Sequence, residues 1–180
     1  MMHDTADLTL RPAGPGDVAL LRGWERYPHV PSSPPGCDWC WEVELAAPRA
    51  GVEPMIALLA GRPLGFLQIL DPAREQTGYW GPVGEGIRAI DIWIGEPADL
   101  GRGLGSRMMA SALARCFGEA GVCEVWVDPL AGNRRAHRFY ARHGFRVLGP
   151  RVLDGDACLV MGLSRSDWQA AGRGATLRRR

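Results

Sequence analysis

Residues Leu100-Gly101-Arg102-Gly103-Leu104-Gly105-Ser106 decide how this chain reads. They follow an apolar run, Ile87 to Ile94, rich in branched residues as a buried strand is, and they precede apolar residues at helical spacing from Leu104 to about Phe117. Glycines at alternate positions let the backbone turn tightly and aim successive N–H groups at one anion. A helix starting there adds its positive end, and Arg102 and Arg107 add full charge. The segment is expected to hold a pyrophosphate; the plain alternative is a flexible glycine turn. A P-loop needs Lys followed by Ser or Thr after its last glycine, whereas Ser106-Arg107 stands here. A dinucleotide fingerprint begun at Gly101 needs glycine at Ser106. Neither ATP hydrolysis nor hydride transfer is supported.

Outward from this loop, the 180 residues are 46% hydrophobic and 23% charged, enough for a packed core and against disorder. One domain over residues 1–168 is expected, with 169–180 as a frayed, flexible tail. No long apolar run spans a membrane, and the opening MMHDTADLTLRP lacks the apolar centre of a signal peptide. The five cysteines show no framework spacing, so a cytoplasmic setting is expected. Cys37 and Cys40 form a single Cys-x-x-Cys with no second pair and no histidine at ligand spacing, so no metal is expected. Residues 1–100 hold fourteen acids against seven arginines, and the remaining eighty hold six against fourteen, with no lysine. Such a chain can take one cationic and one anionic ligand. Without a basic stripe interleaved with aromatics, it is not a nucleic-acid binder.

The elements read as an extended run Leu8–Arg11, a helix capped by Asp17 with Val18, Leu20, Leu21 and Trp24 on one face, and a Pro/Ser-rich loop over 28–36. An amphipathic stretch from Trp39 to Leu45 follows, then a hairpin of Pro54–Ala60 and Leu64–Leu70. A long loop over 71–86 carries Glu75, Tyr79, Trp80 and Glu85, and loops of that length are often functional. Beyond the helix begun at Leu104 come a strand Glu124–Val127, a helix Asn133–His143 closed by Gly144, and strands Phe145–Leu148 and Ala157–Gly162 around a turn at Asp154-Gly155. Trp24 and Trp126 read as core.

Two motifs carry a resemblance. Leu100 to Gly105 is similar to the Arg/Gln-x-x-Gly-x-Gly/Ala loop of the GCN5-related N-acetyltransferases, with Leu100 departing at the first position. Asn133-Arg-Arg-Ala136-His-Arg-Phe-Tyr140-Ala-Arg-His-Gly144-Phe145 resembles that family's Asn-x-x-Ala-x-x-x-Tyr-x-x-x-Gly-Phe segment. The resemblance covers residues 87–148. It implies an α/β fold with a central mixed, mostly antiparallel twisted sheet of about six to seven strands flanked by about four helices. It also implies acetyl-CoA as cosubstrate, bound by Leu100, Gly101, Arg102, Gly103, Leu104, Gly105 and Ser106, by backbone near Trp93 and Ile94, and by Asn133 and Ala136.

Attack of an amine on a thioester needs the amine deprotonated, an oxyanion stabilised and a thiolate protonated. By the resemblance, backbone N–H near Trp93 and Ile94 serves the carbonyl and Tyr140 protonates the sulfur; the alternative for Tyr140 is a core aromatic beside Phe139. Asp91 sits between Ile90 and Ile92 in an otherwise apolar strand, where a carboxylate is expensive. It is the candidate base or amine anchor, acting directly or through a water; a solvent-facing edge position is the alternative.

The finer resemblance is to aminoglycoside 6'-N-acetyltransferases, on Gly86 to Asp91, the glycine loop, and Asp128-Pro129 followed by Asn133-Arg-Arg-Ala136. It implies that Asp91 is the acid–base residue and that Asp128, Tyr79 and Trp80 contact the drug, with Asp154 or Asp156 a further acid. Glu85 is a candidate from the same loop, and Asp38, Trp39, Trp41 and Glu42 are candidates for a second wall. A polycationic sugar fits several carboxylates and aromatic faces. The expected partner is a small-molecule aminoglycoside, bound by a monomer or homodimer, and drug resistance is the expected consequence. Two alternatives stand: acetylation of another amine, such as a siderophore precursor or lysine-derived amine, and a non-catalytic acyl-CoA-binding sensor. Asp91 together with Tyr140 argues against the sensor.

Overall fold

A computed structural model of the chain describes residues 7–30 and 40–177. Seven strands form one sheet in the order β1-β2-β3-β4-β5-β7-β6. They are β1 (Leu8–Pro12), β2 (Val52–Leu59), β3 (Arg62–Leu70), β4 (Ile87–Ile94), β5 (Glu124–Val127), β6 (Arg146–Leu153) and β7 (Asp156–Ser164). Five helices accompany them: α1 (Val18–Trp24), α2 (Trp41–Glu44), α3 (Leu104–Gly118), α4 (Arg134–Arg142) and α5 (Arg165–Leu177). β1 pairs antiparallel with β2, β5 and β6 each pair antiparallel with β7, and β4 and β5 run parallel. The sheet is therefore mixed and mostly antiparallel, as expected.

The chain packs as two compact units. The first comprises Met1–Ile69 with Asp91–Ala112. Its core holds an aromatic cluster of Trp24, Trp41 and Phe66 with Leu21 and Ile56, and a second cluster in which Leu64 meets Leu104 and Met108 of α3. Gly95, just after β4, is required by close approach, since a Cβ there would lie 2.0 Å from the Trp24 indole. The second unit comprises Leu70–Ile90 with Leu113–Arg180, and its core gathers Trp80, Ala89, Trp126, Leu153, Cys158 and Val160. Arg165 staples this unit: Nε donates to the Val122 carbonyl and Nη1 to the Phe117 carbonyl, each at 2.7 Å, and Nη2 donates to the Glu119 carbonyl. Carbonyls at the end of α3 and along the link to β5 are thereby satisfied.

Several expectations change in detail. Residues 169–177, read as a tail, continue helix α5. β6 runs past Leu148 through Gly149 and Pro150, with a register shift between Val147 and Gly149. A proline breaks a strand pattern in sequence, yet a sheet edge tolerates it, because no partner needs its N–H. Asp17 precedes α1 as expected but does not cap it with its side chain. The carboxylate instead accepts from Gly14 N (2.9 Å) and from both Nη atoms of Arg11 (2.8 and 2.6 Å).

Candidate acetyl-transfer site

In the first unit, the strand period of two separates the side chains of β4. Ile92 and Ile94 pack against the cluster of Leu104 and Met108. Trp93 turns to the other face and stacks on Phe66 at 4.5 Å, with Trp41 at 6.2 Å. Asp91, two residues before Trp93, shares that aromatic face and is half-buried. The end of β4 is fixed on both backbone atoms. His29 Nε2 donates to the Ile94 carbonyl at 3.0 Å, and Gly95 N donates to the Leu64 carbonyl at 2.9 Å. Glu96 follows, accepting from Trp24 Nε1 (3.1 Å) and the Tyr27 hydroxyl (2.9 Å).

A short 3-10 turn, Pro97–Asp99, then delivers the chain to the glycine loop. Asp99 is 3% exposed and accepts from Arg62 Nη1 and Nη2 (2.8 and 3.0 Å) and from Arg102 Nη1 (2.9 Å). Arg102, expected to face a pyrophosphate, is tied to the base of its own loop. Gly101 (φ 73°) and Gly103 (φ 76°) both adopt the left-handed conformation that side chains avoid, with open space where a Cβ would lie. Ser106 N and Arg107 N bond back to the Gly103 carbonyl. The N–H groups of Gly103, Leu104 and Gly105 precede the first intrahelical bonds of α3, which makes them donors for an anion. Open glycine positions and N–H groups without an intrahelical acceptor suit a pyrophosphate without relying on the Arg102 charge.

In the second unit, Asn133 caps α4, its side chain accepting from Ala136 N at 3.0 Å. Tyr140 is 9% exposed, edge-on to Phe139 (5.4 Å) and Phe145 (5.6 Å). Of the adjacent aromatics in the 71–86 loop, Trp80 is 4% exposed and packs on Trp126 at 5.6 Å. Only Tyr79 stands exposed. Its hydroxyl donates to Asp128 Oδ2 at 2.6 Å. Burial raises the Asp128 carboxyl above its ordinary value, and the Tyr79 hydrogen bond partly offsets this. The segment after β5 is held to β7 by Leu159 N donating to the Pro129 carbonyl (2.9 Å) and by a bridge between Leu130 and Cys158. Cys158 is pushed up by burial and by the charges of Asp128 and Asp156. Glu85 is exposed, and so is Asp154 at the β6–β7 turn with φ 46°.

Trp41 is core rather than wall, 2% exposed with its Nε1 donating to Glu25 Oε1 at 2.7 Å. Glu42 is exposed and pairs with Arg22 at 2.8 Å. Cys37, Asp38 and Trp39 lie outside the described residues. Among the described residues no group of three or more His, Cys, Asp or Glu is arranged to hold a metal, and no helix is long and apolar enough to cross a membrane. Asp99 and Glu75, both buried carboxylates, were not singled out as site residues in the sequence. For Asp99 the available signal is its place directly before the loop.

A family model described as an acetyltransferase (GNAT) domain matches residues 15–153. The chain is 28% identical over 158 residues to an aminoglycoside N(6')-acetyltransferase type 1 of Klebsiella pneumoniae, covering 79% of this chain and 75% of that protein. It is 33% identical over 64 residues to a kanamycin resistance protein of Rhizobium radiobacter, covering 36% and 59%. The solved structure of aminoglycoside acetyltransferase AAC(6')-Ib in complex with coenzyme A and kanamycin is similar at a TM-score of 0.80 and 25% identity, over 91% of this chain and 98% of that one. With the family model matching most of its length, the chain belongs to the GNAT acetyltransferase family.

Proposed function

We propose that this protein transfers the acetyl group of acetyl-CoA to a primary amine of an aminoglycoside, the 6'-amine, and thereby confers resistance to the drug. The observation that carries the proposal is Asp91, half-buried in an apolar strand that leads directly into the anion-binding loop. A carboxylate is kept in such a place when it meets a cation. Relatives at 28% identity that are named for this activity support the choice of cation.

Each residue has a task that its chemistry suits. Asp91 anchors the incoming ammonium and takes its proton, directly or through a water, because an ordinary aspartate near about 4 is a weak base for an amine. The backbone N–H groups near Trp93 and Ile94 stabilise the developing oxyanion. The loop from Leu100 to Ser106 holds the pyrophosphate of acetyl-CoA, and Asn133 and Ala136 hold the pantetheine arm. Tyr140 gives its proton to the sulfur. Tyr79, Asp128 and Asp154, with Glu85, bind the remaining ammonium groups and rings of the drug. Acetyl-CoA supplies the activated thioester. The enzyme works in the cytoplasm, a setting consistent with the four free cysteines among the described residues.

Release of free CoA thiol, measured with purified protein on aminoglycosides and on lysine-derived amines, tests this reading. Turnover with the drugs is expected. Turnover on the other amines alone would retain the family and discard the drug, and bound CoA with no turnover on any amine would favour a sensor.

A further inference from the structure

Glu75 is an unusual residue for a surface loop, because it is 8% exposed and carries a carboxylate. A buried carboxylate persists only where donors surround it. Here three converge: Thr77 N at 2.7 Å and the Thr77 hydroxyl on Oε2, and Tyr79 N at 3.1 Å on Oε1. Tyr79 N also lies 3.2 Å from Thr77 Oγ1, so the turn from Glu75 to Tyr79 is closed on itself around one anion. Fixing the Tyr79 backbone fixes where its side chain leaves the loop. The ring lies edge-on to buried Trp80 at 5.6 Å, and the hydroxyl reaches Asp128 across 49 residues of sequence.

We infer that Glu75 is a positioning residue for substrate binding: it sets the loop turn that aims the Tyr79 hydroxyl at Asp128 Oδ2, so that Asp128 meets the substrate ammonium with one fixed face. This rests on the proposed function, in which Asp128 binds the drug. A carboxylate free to rotate would lose orientational preference for the ammonium, and a charge-assisted hydrogen bond such as Tyr79–Asp128 removes that freedom. The bond also favours the ionised form, which burial of Asp128 opposes. Cys158 of β7 feels the charges of both Asp128 and Asp156, and Arg151 of β6 lies over the Trp126 ring at 5.1 Å. The donor to Asp128 on which the argument rests is the Tyr79 hydroxyl.

Steady-state kinetics on the full chain test the inference with Tyr79→Phe, Glu75→Ala and Glu75→Gln, each alongside thermal melting. Tyr79→Phe is expected to raise the aminoglycoside KM about five- to tenfold, the loss of one hydrogen bond to a charged group, with the acetyl-CoA KM unchanged. It is also expected to move the acidic limb of kcat/KM to higher pH, because the ionised carboxylate has lost its donor. Glu75→Ala should reproduce both effects. Glu75→Gln keeps one accepting oxygen in place of two and should recover part of the loss. If Glu75→Ala fails to fold, the other two variants carry the test. An unchanged aminoglycoside KM and acidic limb in Tyr79→Phe would overturn the inference, as would a Glu75→Gln variant that weakens both substrates equally. A wild-type protein with no aminoglycoside turnover would overturn the proposed function and this inference together, whereas an active wild type with indifferent variants would overturn this inference alone.

Discussion

Arg102 Nη1 lies 2.9 Å from Asp99 Oδ1, so the one arginine inside the glycine loop is bound to the carboxylate at the loop's own base. Arg62 holds both oxygens of the same carboxylate, Nη1 donating to Oδ2 and Nη2 to Oδ1. Asp99 is the buried member, at 3% exposure, while the side chains of both arginines are about half exposed. Asp99→Ala therefore leaves two solvated cations rather than a stranded buried charge, and the cost is expected near 1–2 kcal/mol instead of the larger penalty of a fully buried pair. The loop should loosen as well, raising the acetyl-CoA KM several-fold while leaving the aminoglycoside KM near its starting value. Melting and two-substrate kinetics read both effects.

Asp91→Asn preserves shape and removes the charge. Turnover is expected to fall by about two orders of magnitude or more, the scale on which a positioned acid–base group acts. Acetyl-CoA affinity, measured by titration calorimetry, should stay near wild type, because the N–H groups of Gly103, Leu104 and Gly105 are untouched. Near-normal turnover in this variant would remove Asp91 from the mechanism.

Asp128 carries a stability cost that follows from its burial. Its folded-state carboxyl is raised, so its contribution to folding is fully present below the unfolded value near about 4 and is lost as pH rises through the folded value. At neutral pH the charged form opposes folding. Asp128→Asn can still accept from the Tyr79 hydroxyl, so it should melt above the wild-type temperature at pH 7, with the difference vanishing below about pH 4. The same variant should bind the drug much more weakly. Equal melting temperatures across that range would contradict the burial argument.

Arg165 answers three carbonyls with one planar fork and lies 5.4 Å from the Phe117 ring centre. Arg165→Ala is expected to cost about 2 kcal/mol, and Arg165→Lys to recover less than half of it, since an ammonium cannot reproduce the fork. Denaturant unfolding of the two variants checks this.

The sequence was most informative where local rules and tertiary packing agree. β4 matches its expected bounds because the Ile87–Ile94 run has no competing pattern, and α4 starts and stops where Asn133 and Gly144 predict. The glycine loop falls where its spacing requires. Long-range pairings were not legible. Nothing local links Asp99 to Arg62, which lies 37 residues earlier, and nothing tells Tyr79 from Trp80 as the exposed aromatic of an adjacent pair. The length of β6 was hidden by Gly149 and Pro150, because whether a proline ends a strand depends on whether that strand lies at the sheet edge. The composition of residues 169–177 favours no helix strongly, and α5 depends on contacts such as Phe117 with Trp168 at 5.0 Å.

The most direct test of the central claim is regiochemical. Purified protein would be given acetyl-CoA with an aminoglycoside carrying a 6'-amine and, separately, with its matched 6'-hydroxy analogue, and the position of the acetyl group would be read by NMR of the product. Acetylation confined to the 6'-nitrogen, with no turnover on the hydroxy analogue, is the predicted result. Equal turnover on the two compounds, or an acetyl group on another nitrogen, would contradict it.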